Sequence, residues 1–391
     1  MRSTRNSTQT NSEIQGYVAR YLQEFVHIEG HGRKCTSSVL IAMLVFAAAW
    51  RTSISNACKR LRGMPSDEAA RQALLATLPE AKALEADFNR AFANQAPKSL
   101  RKKAQRLAVD LTEIPYHGEP EQDKEELRPG KAKRGTSRFH TYATIYVVQR
   151  GERFTLAVTC VSRNDSLTDV LERLLAQVRK IGIRIRFLLL DRAFYNVDVV
   201  CYLKRVHCPF LMPVARRGRR PKDPAQATSV WRFFVWKKSG WSKQVMQRDG
   251  RRTEVNICVS CGNYRGQWGR HGRRCFVFAY WGFRPASPGW VRDTYRKRFG
   301  IETSYRQMNE ARIRTSSSKP VLRLLYVAVA LLLRNAWVWF HLAYLAKRRG
   351  CGYQMHLDQL RFRALLLHLF CWAAEIAGPV DAAEFQLPLL E

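Results

Sequence analysis

Ile185-Arg-Phe-Leu-Leu-Leu-Asp191-Arg-Ala-Phe-Tyr195 is a short apolar run that stops on an acid. Four successive large apolar residues, Phe187 to Leu190, leave no polar alternate face, as expected of a strand covered on both sides at the centre of a mixed sheet. Asp191 then projects from the carboxyl end of that strand, where open α/β sheets place their sites. Upstream lie three β-rich runs, Leu107 to Tyr116, Tyr142 to Gln149 and Phe154 to Val161, and a helical stretch, Leu167 to Ile181. Downstream lie a helix near Val197 to Val206 and a strand, Phe210 to Val214.

The order β-β-β-α-β-α-β predicts an α/β fold, an RNase H-like mixed sheet. Residues 99–215 form the first part of that core. Residues 1–98 read as a series of short helices. Within them Ser37 to Ala49 and Ile54 to Arg62 flank a break at Arg51-Thr52-Ser53, with Thr52 or Ser53 as a cap and Gly63 as a stop. The pair fits a helix-turn-helix for DNA, a signal that any helical bundle also gives. Residues 216–290 break the α/β pattern. They open on Arg216-Arg-Gly-Arg-Arg-Pro221, hold six of the ten tryptophans, and read as an inserted basic β domain. Helices resume at Val291, giving the second part of the core over 291–349 and a helical tail over 350–391.

The 391 residues carry 66 Lys or Arg against 32 Asp or Glu, a formal charge of +34, so a polyanion is the first partner to consider. Arg216 to Arg314 alone holds 24 basic residues against 6 acids. The polar start, Met1 to Ile14, has no apolar stretch of a secretory signal. Arg323 and Arg334 interrupt the most apolar run, Val321 to Ala346, so it reads as a buried helix and no membrane partner is expected. The ten scattered cysteines are expected to be reduced thiols.

Phosphodiester chemistry with two metal ions needs carboxylates gathered from separate elements, because hard cations take oxygen ligands on both sides of the phosphate. Asp110 lies inside an apolar β-run, where an acid costs energy unless a cation meets it. Asp191 ends the central strand. Glu302 lies in Tyr295-Arg-Lys-Arg-Phe-Gly-Ile-Glu-Thr-Ser-Tyr-Arg306, where Tyr295, Arg298, Glu302 and Arg306 fall along one helical face. Each acid taken alone also has an ordinary reading, as a turn cap, a strand end or a helix ion pair.

Asp110-Leu-Thr-Glu-Ile-Pro-Tyr116, Gly130-Lys-Ala-Lys-Arg-Gly-Thr136, Asp191-Arg-Ala-Phe-Tyr195 and the spaced Tyr295, Arg298 and Glu302 together resemble the DDE transposases of the IS4 group, nearest its ISH3-like branch. The resemblance implies that Asp110, Asp191 and Glu302 bind Mg²⁺, with Mn²⁺ as a substitute. It implies that Tyr295 and Arg298 contact the backbone of transposon ends, with Lys133, Arg134 and Arg192 as further DNA contacts. It also implies a β-rich insertion before the last catalytic helix. The family's Lys seven residues after the Glu is Asn309 here, with Arg306 or Arg312 as the replacement. Double-stranded DNA, both inverted-repeat ends and target, is the implied partner of a dimer or larger synaptic complex, in the cytoplasm and on the nucleoid of a prokaryote.

The function expected is metal-dependent cleavage at transposon ends and transfer of the 3′-hydroxyl into target DNA. The rivals are a structure-specific nuclease on the same fold, and a non-catalytic DNA-binding derivative of a transposase. Cys258, Cys261, His271 and Cys275 have a spacing that suits zinc, against the plainer reading of a strand with small buried residues. The insertion tryptophans are expected mostly in a core, with one or two free to stack on a base. Glu119, Glu121, Asp123, Glu125 and Glu126 read as a solvated loop.

Overall fold

The computed structural model describes residues 7–119, 124–216, 223, 229–265, 271–349 and 352–378. From the amino end come helices α1 (Ser7–Glu24), α2 (Ser37–Ala49), α3 (Ile54–Arg60), α4 (Asp67–Thr77) and α5 (Ala81–Gln95). Strands β1 (Gln105–Pro115), β2 (Arg128–Lys133), β3 (Thr136–Val147) and β4 (Thr155–Val161) follow, then α6 (Leu167–Ile181), β5 (Ile185–Leu189), α7 (Val197–Arg205) and β6 (Phe210–Pro213). A single turn α8 (Trp231–Phe234) leads to β7 (Gly240–Arg248), β8 (Arg251–Arg265) and β9 (His271–Trp281). The chain continues through α9 (Pro288–Arg296), α10 (Gly300–Ala311), α11 (Pro320–Phe340), the short pair β10 (Lys347–Arg349) and β11 (Gly352–Gln354), and α12 (Phe362–Ala377). Two compact units result, one of residues 96–117 and 125–303, the other of 1–95, 118–124 and 304–391.

The first unit is built on one sheet, nine-stranded among the described residues. β1 lies between β3, antiparallel to it, and β5, parallel to it. β4 adds antiparallel to β3 and β6 parallel to β5, so the order β4-β3-β1-β5-β6 has three antiparallel strands followed by two parallel ones. That is the mixed sheet expected from the element order. Phe187, Leu188 and Leu189 are all buried, as the unbroken apolar run requires. α6 lies on β3 and β4, and its buried residues Val170, Leu171, Leu174, Leu175, Val178 and Ile181 recur at helical spacing. Ser166 and Asp169 close its start as a capping box, and Gly182, at φ 78°, closes its end. The sequence reading missed β2, which joins β3 through Arg134 (φ 52°) and Gly135 (φ 81°), two positive-φ residues of the kind a tight hairpin needs.

The segment expected as an inserted β domain does form strands, but they continue the same sheet. β9 pairs antiparallel with β6, β8 with β9, and β7 with β8. Pairing β9 onto β6 satisfies backbone groups that an edge would otherwise expose. The Arg217 to Lys222 part of the basic run, and Trp268, lie outside the described residues. Among the described insertion tryptophans none is fully buried: Trp231, Trp236, Trp281 and Trp290 are half-buried against neighbouring phenylalanine rings, and Trp241 is 43% exposed.

Cys261 and Cys275 form a disulfide, which corrects the expectation that all ten cysteines are reduced. They sit directly opposite one another on β8 and β9, with Cα atoms 4.0 Å apart. The pairing also removes the zinc reading. Cys258 and Cys261 are three apart on one strand and so point to opposite faces. Burial pushes the Cys258 thiol up to about 12, away from the thiolate that zinc takes. The His271 side chain lies outside the described residues. So do Glu121 and Asp123 of the acidic loop, whereas Glu125 and Glu126 form a short 3₁₀ turn and the Glu125 carbonyl accepts from the Arg163 amide at 2.7 Å.

In the second unit α11 packs on α5, and α12 on α2. The expected pair of helices is present: Ser53 caps α3 through the Asn56 amide. α2, however, is buried from Leu40 through Ala49, so it serves as a core helix on every face. Gly63 does not end α3, which stops at Arg60. Its amide donates to the Ala377 carbonyl at 2.7 Å, and a Cβ there would lie 2.5 Å from that oxygen. The stretch Pro320–Leu345 is long and apolar enough to cross a membrane by composition, but its apolar window is 94% buried within the protein. Its two arginines are accommodated: Arg323 Nε donates to Ser317 O at 2.6 Å and Arg334 Nε to Gln307 Oε1 at 3.3 Å.

Leu174→Ala, in the fully buried stripe of α6, is expected to destabilise the protein by about 2–5 kcal/mol. A drop in the urea midpoint at unchanged slope would report it, and an unchanged midpoint would show that α6 does not depend on this stripe.

Candidate active site

Asp110 and Asp191 are brought level by strand register. The parallel pairing of β1 with β5 reaches Ala108 opposite Leu189, and two residues further on each strand stands an acid. Residues two apart share a face, so both carboxylates belong to the face that carries Ala108 and Leu189. On the antiparallel side Asp110 pairs with Thr144 and Ala108 with Tyr146, which puts Tyr146 on that face as well.

Glu302 comes from the first turn of α10, where a carboxylate suits the helix N-terminus. The single helical face expected for Tyr295, Arg298, Glu302 and Arg306 is interrupted. α9 ends at Arg296, and Lys297–Phe299 is a tighter 3₁₀ turn before α10 begins at Gly300. Gly300 leaves room for the Arg153 guanidinium, whose Cζ would stand 2.7 Å from a Cβ there. The buried Tyr146 hydroxyl donates to the Arg298 carbonyl at 3.1 Å and holds the turn to the sheet.

This turn aims Arg298 at Asp110. The guanidinium Nη2 lies 3.0 Å from Asp110 Oδ1, and the two side chains are 5% and 19% exposed. Asp110 Oδ1 also accepts the Leu111 amide at 3.0 Å. Tyr295, 8% exposed, donates its hydroxyl to the Leu190 carbonyl at 3.2 Å, directly before Asp191. The two residues expected on DNA are thus engaged with the frame of the two aspartates.

Burial pushes the Asp110 carboxyl up to about 6. Arg298 and the Leu111 amide pull it down, and the charges of Asp191 and Glu302 push it up again. Burial also opposes the Arg298 charge, but Asp110, with Tyr295 and Asp191, outweighs it and holds the guanidinium above its ordinary value. Asp191 and Glu302 therefore both lie near enough to act on the charge of Asp110. Among the described residues no three His, Cys, Asp or Glu side chains converge closely enough to hold an ion as they stand. An oxygen-only donor set with surplus negative charge fits a hard divalent cation.

Asp191 and Glu302 open on a cleft of about 770 Å³ whose other charged lining is arginine: Arg192, Arg216, Arg274, Arg292, Arg296 and Arg298. Phe299, 50% exposed, stands at its wall. Of these, Arg192 was expected as a DNA contact, and it is exposed. Arg274, Arg292, Arg296 and Tyr146 escaped the sequence reading, for only the density of arginine in that segment hinted at them. Lys133 and Arg134 lie at the exposed β2–β3 turn, with Lys133 paired to Glu113 at 2.6 Å. Arg306 is exposed on α10, and Arg312 Nε donates to Asn309 Oδ1 at 3.1 Å.

Comparison with known proteins bears on the fold and the family. No curated protein sequence matches the chain. Among solved structures, the fold is similar to that of the piggyBac transposase, seen by cryo-EM in a synaptic complex with hairpin DNA. The TM-score is 0.52 and the identity 9%, over 93% of this chain and 78% of that one. Residues 101–333, which span the sheet, the arginine-lined cleft and all three acids, match the family model of the transposase DDE domain, and the chain belongs to that family.

Proposed function

We propose that this DNA transposase cuts the ends of a mobile element and transfers the freed 3′-hydroxyl to target DNA, with Asp110, Asp191 and Glu302 as its metal-holding acids. One observation carries the reading: the β1–β5 register and the start of α10 gather the acids so that Asp191 and Glu302 act on the charge of Asp110, beside a cleft otherwise lined by arginine. Divalent ions, Mg²⁺ or Mn²⁺ for such donors, supply when bound the Lewis acidity that polarises a phosphate and activates the attacking oxygen.

The protein's own part is to place charge. The exposed Glu302 and half-buried Asp191 face the cleft, while the arginines around them offer paired donors to successive phosphates of duplex DNA. Arg298 is a positioning residue in this reading, since its buried guanidinium keeps Asp110 ionised and oriented. Tyr295 does the same for the backbone before Asp191. Lys133, Arg134, Arg306 and Arg312 remain candidates for the flanking duplex. The piggyBac transposase is seen as a synaptic complex, which favours a dimer or larger assembly on paired ends here too. The motif resemblance to the IS4 group supports a place in the prokaryotic cytoplasm, on the nucleoid. Resemblance to the IS4 group and its ISH3-like branch rests on the motifs at Asp110, Asp191 and Glu302.

Asp191→Asn, which keeps shape and removes charge, is expected to reduce cleavage of a duplex bearing the element's end to background while gel-shift affinity holds. Cleavage at the wild-type rate would remove Asp191 from the chemistry. Wild-type protein that cuts the end but never yields joined products would point to the nuclease alternative.

Arg298→Ala leaves Asp110 buried without its cation, a change that costs about 3–5 kcal/mol in buried pairs. The expected outcome is lost cleavage with duplex affinity retained, and Arg298→Lys should restore part of the rate, because a point charge reaches Asp110 without the fork. If Arg298→Lys instead kept the full rate and lost end affinity, the residue would be a phosphate contact.

Arg274→Ala combined with Arg292→Ala should lower the slope of log affinity against log salt by about 2, one for each phosphate no longer neutralised. An unchanged slope in anisotropy titrations would place the DNA elsewhere.

A further inference from the structure

The end of the sheet away from the carboxylates carries a second concentration of positive charge. β1, β5 and β6 run parallel, so their amino ends lie side by side. The segments that lead into them, residues 98–106, 179–186 and 204–208, hold eleven Lys or Arg and no Asp or Glu. They meet in space: Arg184 Nη2 donates to the Lys102 carbonyl at 3.0 Å, and a groove of about 460 Å³ runs between Arg179, Arg184 and His207. Lys102, Lys103, Arg184 and Arg186 are exposed, and among the described residues none is paired with a carboxylate.

A plainer explanation covers only part of this charge. Arg179 and Lys180 stand in the last turn of α6, where cations complement the helix C-terminus. Lys103, Arg184 and Arg186 cap no helix, Lys102 follows only the single 3₁₀ turn Lys98–Arg101, and like charges packed this closely repel unless an anion is shared among them. Arg184 and Asp191 are seven residues apart along one extended segment, about 23 Å. A phosphate backbone on this surface is therefore not the one being cut.

We infer that the amino ends of β1, β5 and β6 form a second DNA-binding surface, which grips the phosphate backbone of another duplex segment without reading its sequence. The inference rests on DNA being the substrate, and adds that each chain holds DNA at two ends of its sheet. Lys102 and Lys103 approach one strand of the backbone and Arg184 and Arg186 the next phosphates along it. Exposed cations on backbone loops suit such sequence-independent contact.

The test uses the full chain and a short duplex of arbitrary sequence. In a variant with Lys102→Gln, Lys103→Gln, Arg184→Gln and Arg186→Gln, the salt slope of binding should fall by about 3 to 4. In the wild-type protein, bound duplex should protect Lys102 and Lys103 from acetylation, as read by mass spectrometry. The second measurement needs no variant, so misfolding cannot decide the outcome. An unchanged slope in a variant that unfolds at the wild-type temperature, or acetylation of both lysines to the same extent with and without duplex, would overturn the inference. The catalytic reading fails separately, by undiminished cleavage in Asp191→Asn, and such a result would leave this surface standing.

Discussion

Parallel hydrogen bonding between β1 and β5 sets the level at which Asp110 and Asp191 stand, and the rest of the site follows from it. A slip of one residue would turn Asp110 to the other face of the sheet and put an apolar neighbour beside Asp191. The register is fixed on both flanks. β3 pairs with β1 from Leu107 to Pro115, and β6 pairs with β5 at Leu188 and Leu189, so each strand is held on its outer flank as well. The site therefore inherits its geometry from the most apolar part of the sheet.

Holding an acid at that position has a cost, and the Arg298 guanidinium offsets part of it. Burial and two neighbouring carboxylates push Asp110 towards its neutral form, and Arg298 opposes them from 3.0 Å. The pair is buried enough that its worth lies in what its loss would leave behind, an uncompensated charge, more than in net attraction. Tyr146 fixes the turn that carries Arg298, so β3 supports the cation as β5 supports the second aspartate.

The positive charge is organised around the same frame. Arginines from α9 and the strands after β6 face the carboxylates, because β9 extends the sheet where a separate domain might have carried them away. At the far ends of the parallel strands the loops are basic and free of acid. A chain of +34 thus carries its positive charge on both sides of one sheet, a distribution suited to a polyanionic partner.

The sequence by itself determined what depends on near neighbours. The helical period of α6, the apolar run of β5, a cap at Thr52 or Ser53, and the arrival of Asp191 at a strand end are local patterns, set by side-chain spacing and by capping chemistry. Tertiary structure alone decided the partners. Arg298 was expected on a DNA phosphate, and the 3₁₀ turn held by Tyr146 brings it to Asp110 instead. Cys261 and Cys275 resembled metal ligands along the chain and became a cross-strand pair once β8 and β9 chose their register. Residues 216–290 gave strands without saying which sheet they would join, because an edge is satisfied by any strand that reaches it. Pairing across long sequence separations is fixed by the packing of the whole, and no local repeat encodes it.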